Sequence, residues 1–148
     1  MIQEAMKLHG AVTLVLQKSD GEVQTTHKEN IIVNVGFDFI SDAIGRATSR
    51  PGVMGFIAVG TGTTAAAASQ SALVTELKRN AATYAHTVGT KTFTFTAQYP
   101  AGDATGAITE AGVFNAASAG IMLDRVVFPV VNKGADDSLT AVFTFTMS

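Results

Sequence analysis

The stretch Gly60-Thr61-Gly62-Thr63-Thr64-Ala65 follows a short apolar run, residues 54–59, and fits the spacing G-x-G-x-x-A. In a dinucleotide site such glycines let the backbone close on a pyrophosphate at a helix N-terminus. An acidic residue about twenty positions further on, on a second parallel strand, then holds the ribose. That second strand is missing, because Glu76 falls inside a segment that reads as helical and the neighbouring segments alternate as antiparallel strands. No Lys-Ser or Lys-Thr pair follows the loop, which excludes a phosphate-binding P-loop. The motif reads instead as a flexible or partner-contacting Gly/Thr loop.

The other reactive side chains are scattered. His9, His27 and His86 have neither the i, i+2 nor the i, i+4 spacing that sets two imidazoles on one face, so they read as surface or hydrogen-bonded histidines rather than metal ligands. Asp103, Glu110 and Asp124 would act as acid and base only if folding brought two of them together. Asp103, in Pro100-Ala101-Gly102-Asp103, is more simply a turn residue bonding its own backbone. No G-x-S-x-G elbow is present. The chain has no cysteine, which excludes disulfides, thiolate nucleophiles and thiolate metal sites. No catalytic residue, metal ligand or cofactor-binding residue is assigned. Lys78, Arg79 and Arg125 are isolated cations, read as a solvated face or as partners of a helix C-terminus. Their alternative role is to orient a partner electrostatically.

The elements that would carry these groups are mostly strands. Residues 11–16 alternate, Ser19-Asp20-Gly21-Glu22 makes a turn, and residues 23–32 return as a wet outer limb. Val35, Phe39, Ile40, Ala43 and Ile44 fall at helical intervals before a stop at Gly45. Residues 65–79 read as a loop and then a helix, with Ser69 as its cap and Leu73 and Leu77 four residues apart. In residues 91–99, Phe93, Phe95, Ala97 and Tyr99 share one face and threonines take the other. Residues 139–147 repeat the device, so the two ribbons are expected to be antiparallel neighbours. Residues 107–115 and 122–131 are further strands, and Pro129 marks the second as an edge or bulged strand. A polar turn is expected over residues 132–137. The pattern predicts a mainly β fold: an antiparallel β-sandwich-like domain with one or two short helices over residues 11–148, preceded by an N-terminal arm over residues 1–10.

Composition narrows the function. In 148 residues, ten Lys plus Arg against twelve Asp plus Glu give a net charge of -2, so no broad basic field exists for nucleic acid. No apolar run reaches the roughly 18 residues of a membrane span, and the start lacks the order of a signal peptide, so synthesis and folding in the cytoplasm are expected. Charged residues make up 15%, well below the roughly 25% of soluble domains. Much of the surface must therefore be Thr, Ser, Ala and Gly, which is easily dehydrated against a neighbour. With no Trp, and Tyr84 and Tyr99 as the tyrosines, material for a carbohydrate platform is thin.

Two blocks then suggest a family. Phe56-Ile57-Ala58-Val59-Gly60-Thr61-Gly62-Thr63-Thr64, with Ser69-Gln70-Ser71-Ala72-Leu73, is the first. The second is Ile108-Thr109-Glu110-Ala111-Gly112-Val113-Phe114-Asn115-Ala116-Ala117 with Met122-Leu123-Asp124-Arg125-Val126-Val127-Phe128 and the closing Val131-Asn132-Lys133-Gly134-Ala135-Asp136-Asp137. Over residues 54–148 the chain resembles small virion structural proteins of tailed bacteriophages. The resemblance implies a non-enzymatic assembly role in the virion. The favoured placement is a capsid decoration, or cement, protein that binds the major capsid protein, commonly as a homotrimer. The alternative is a tail, collar or fibre-attachment component.

Overall fold

A computed structural model describes residues 5–148. Strand β1 (Leu8–Gln17) buries Gly10, Val12, Leu14 and Leu16 in strict alternation, as a half-buried strand must. It turns at Gly21, whose φ of 91° suits glycine, into β2 (Val23–Glu29), which lies wet along almost its whole length. After Asn30 come the two residues of β3 (Ile31–Ile32) and the helix α1 (Asn34–Gly45). The remaining strands are β4 (Phe56–Gly60), β5 (Glu76–Ala81), β6 (Thr83–His86), β7 (Thr92–Tyr99), β8 (Gly106–Phe114), β9 (Asp124–Lys133) and β10 (Ser138–Met147).

These form two five-stranded antiparallel sheets, ordered β2-β1-β10-β7-β6 and β3-β9-β8-β4-β5. The fold is thus mainly β and sandwich-like, with one helix among the described residues. The two Thr/Phe ribbons are neighbours: Phe143 pairs with Phe95 and Phe145 with Phe93. Their rings fill the core side, with Phe93 and Phe145 stacked at 5.3 Å between centroids. Opposite faces of the same two strands carry threonines in register, Thr144 with Thr94 and Thr146 with Thr92.

Two corners join the sheets. β2 and β3 are one path broken at Asn30, and β5 and β6 are one path broken at Ala82, whose N–H donates to Gly55 O at 2.8 Å. Each path leaves one sheet and enters the other, which is how sandwiches close their corners. Pro129 sits in an irregularity of β9, where residues 128–130 face Thr109 alone. β3 reaches only Asp124 and Arg125, so the missing N–H of Pro129 deprives no ladder partner.

Three expectations need correction. Residues 65–79 form no helix; residues 61–75 are a loop, and Glu76–Ala81 pair with β4. The Leu73 and Leu77 spacing is therefore not helical: Leu73 is buried, while Leu77 is exposed on β5. Of the arm expected over residues 1–10, Leu8, His9 and Gly10 belong to β1 instead, pairing with Met147, Thr146 and Phe145. Its first four residues, Ile2 among them, lie outside the described residues. Finally, the polar turn over residues 132–137 begins later, because β9 runs through Lys133.

Candidate functional site

The loop of residues 61–75 holds the Gly/Thr motif, and its interior is already occupied by a side chain of the protein itself. Glu110, on β8, is fully buried and accepts from the N–H groups of Gly62 (3.1 Å), Thr75 (2.7 Å) and Val74 (3.0 Å). Arg125, equally buried on β9, donates to Glu110 from Nε at 2.9 Å and from its terminal nitrogen at 2.7 Å. Its other terminal nitrogen donates to Thr64 O at 2.8 Å and Gln70 Oε1 at 3.0 Å. Burial alone would raise the Glu110 carboxyl, but the donors of Thr75, Val74, Arg125 and Gly62 together outweigh it and hold the group below its ordinary value. A buried pair of this kind, bonded on all sides, fixes a loop; it leaves no free acid, base or anion cradle. Of the flexible or partner-contacting loop expected from its composition, the first alternative gives way to a loop held from inside by Glu110 and Arg125.

The remaining candidates disperse. Asp124 is buried against the N–H of Val113 (3.0 Å) and the Asn30 amide, at the corner where β2 passes into β3. Asp103 is a turn residue, bonded to Asn80 at 3.2 Å and within 3.9 Å of Lys78. No hydrogen bond joins any two of Asp103, Glu110 and Asp124. Lys78 and Arg79 sit on β5, not at a helix end. Arg79 pairs with Glu76 at 2.7 Å and lies 3.7 Å over the Phe114 ring, which leaves it unavailable as a free anchor. Arg125 is likewise committed. His27 shares a hydrogen bond with Thr13, and His86 donates to Thr92 O. Among the described residues no three His, Asp or Glu side chains gather for a metal, and no helix is long and apolar enough to cross a membrane. Reasoning from sequence missed two buried groups. Lys133 donates to Pro100 O at 3.1 Å, and Asp137 accepts from Ser19 and Gly134. Both close turns.

What remains uncommitted is surface, and it has two faces. The outer wall of the first sheet is laid down by the register. Thr13 stands between His27 and Val142, Val142 beside Thr96, and Thr96 beside Thr83; the next rows hold Thr144, Thr94 and Ala85. Glu29, beside Ala11 at the corner, brings a charged side chain to this wall. The core side of the same sheet ends in two adjoining apolar grooves beneath α1, of about 460 and 340 Å³, which share Leu8, Ile40 and Phe93. Among the described residues, no charged one lines either groove. Tyr84 closes one groove at the sheet edge, whereas Tyr99 is buried, so the two tyrosines form no common platform.

No family model, curated protein or solved structure matches this chain.

Proposed function

We propose that the chain is a structural protein of a tailed-bacteriophage virion, a capsid decoration protein that binds the major capsid protein and stabilises the shell. On this reading it acts as a homo-oligomer, a trimer, and is not an enzyme. The observation that carries the reading is the division of its polar groups. The buried charges are committed to the fold, Glu110 with Arg125, Lys133 and Asp137 in turns and Asp124 at a corner, while the middle rows of one sheet face are left as threonine, valine and alanine, with His27 and Glu29 on its edge strand. Such a wall loses little on desolvation, and its polar groove, of about 380 Å³ beside His9, His27 and Glu29, gathers no three metal-ligating side chains among the described residues. Repeated around a shell by symmetry, one modest contact of this kind becomes strong through multivalency. The phage resemblance of residues 54–148 supports the same placement.

The test is copy number per particle, from a stained gel of purified virions, together with binding of the purified protein to expanded capsids. Hundreds of copies and saturable binding support decoration of the shell. A dozen copies or fewer, without capsid binding, assigns the protein to the tail or collar.

A further inference from the structure

The grooves beneath α1 are rimmed by large apolar side chains that the fold leaves wet: Met6 (75% exposed), Phe37 (50%), Ile44 (74%), Val53 (84%) and Tyr84 (58%). At about 200 Å² for a fully exposed large side chain, the five together expose roughly 600 Å² around the two grooves. The largest patch of a typical monomer is about 300–600 Å² and is often functional, so this one stands at the upper end and approaches the roughly 800 Å² that one partner in a stable complex buries. α1 contributes Phe37, Ser41 and Ile44 at i, i+4 and i+7, an outward stripe whose neighbour Ile40 packs inward between the two grooves. Projecting side chains and the hollow that fits them therefore lie side by side on one face. The alternating rows of the first sheet put Phe93, Phe95 and Phe145 on the side opposite the threonine wall, and the two faces meet at Phe37, which also lines a groove with Thr144 and Thr146.

We propose that this α1 face is the contact between copies of the chain, with the Phe37 and Ile44 stripe of one copy seated in the groove of the next. This rests on the oligomeric reading above and adds to it the surface that makes the oligomer. The patch's area and its uncharged lining choose the occupant. Interfaces between permanently associated copies resemble a core cut in half, whereas surfaces that meet a partner only later keep an ordinary polar share. A patch reserved for the shell would stay wet throughout the protein's free life; one closed by a second copy is covered as soon as the chains fold. The threonine wall is then left for the shell.

The experiment is the native mass of the purified full chain, by light scattering after gel filtration, for wild type and for Phe37→Asp, Ile44→Asp and Val53→Asp. Each variant replaces an exposed residue, and far-ultraviolet dichroism checks that it stays folded. Val88→Asp, at a hairpin tip outside the grooves where Val88 is 92% exposed, is the control. The expected result is an oligomeric wild type and control, with a mass falling to the monomer in the three variants. A monomeric wild type overturns the inference, and so does an oligomer that survives all three changes. An oligomer that dissolves as expected while wild type ignores capsids upholds the copy contact and overturns the decoration reading instead.

Discussion

The Arg125 guanidinium meets the Glu110 carboxylate at 2.7 Å, with both side chains fully buried, and the pair ties β8 and β9 to the loop of residues 61–75. Removing one partner leaves the other charge buried and unmatched, which costs about 3–5 kcal/mol. Glu110→Gln and Arg125→Met are each expected to lose that much stability in urea unfolding. Because the two groups act as one unit, the double variant should lose clearly less than the sum. Limited proteolysis of the folded single variants should cut first within residues 61–75.

Gly60 and Gly62 test what that loop is for. A Cβ on Gly60 would run into Thr75 O and would stand 2.6 Å from Glu110 Oε1; one on Gly62 would stand 2.6 Å from the same oxygen and 2.7 Å from Val74 Cβ. Neither backbone nor clamped carboxylate can give way, so Gly60→Ala and Gly62→Ala should each destabilise by about 1–3 kcal/mol. The glycines make room for an internal carboxylate rather than a phosphate. Nicotinamide and adenine nucleotides should therefore leave the Tm unchanged, and a saturable rise would reverse this assignment.

The ribbon around Phe143 gives a prediction with two sides. Phe143 is buried opposite Phe95, while Thr144, the next residue, lies on the outer wall opposite Thr94. Phe143→Ala should cost about 3–5 kcal/mol, the usual loss for a truncated core phenylalanine. Thr144→Val should change stability by no more than about 0.5 kcal/mol. On the proposed function, the same Thr144 change should alter capsid binding instead. Equal stability losses at the two positions would mean that the wall is not a free surface.

Such alternation is what the sequence makes legible. Phe93, Phe95, Phe143 and Phe145 announce the core side two residues at a time, and the run from Val35 to Ile44 announces α1, because in both cases the decisive neighbours are close in sequence. Residues 65–79 were illegible for the opposite reason. Ser69, Leu73 and Leu77 suit a helix locally, yet the N–H groups of Val74 and Thr75 are claimed by Glu110, some 35 residues away, and β4 claims Glu76 onward. The clamp had left a trace: Glu110 and Arg125 are opposite charges, each set inside an apolar run, Ile108 to Val113 and Leu123 to Phe128. A charge in a buried strand requires a partner, and these two runs contain the charges that match. The α1 face left no comparable trace, since exposure of Phe37 and Ile44 is decided by what the second half of the chain fails to cover.

Asp124 and Asn30 set the response to pH. The Asp124 carboxyl is buried at the β2–β3 corner with no cation against it, and burial pushes it up to about 8 despite the bonds from Val113 and Asn30. The nearby ionisable groups do not relieve it: Arg125 and Glu110 are spent on each other, and His9, His27 and Glu29 line a surface groove on the outer side of Asn30. The folded chain thus keeps this proton to about pH 8, while the unfolded chain releases it near the model-peptide value of about 3.9. Across that interval the native state binds more protons than the unfolded one, so stability falls as pH rises, by up to about 1.4 kcal/mol per unit from this group. Glu110 acts in the opposite sense on the acid side. Its carboxyl is lowered in the fold, so its contribution is present above the ordinary carboxylate range and is lost as pH falls through the folded value. Asn30 also has a buried side-chain oxygen without a donor. In Asp124→Asn the new amide keeps the Val113 bond through its oxygen and offers an N–H to that acceptor once the Asn30 amide turns over. Urea unfolding between pH 5 and pH 9 should therefore slope downward for wild type and flatten for Asp124→Asn, with the variant ahead at the alkaline end. Parallel curves for the two proteins would place the proton elsewhere.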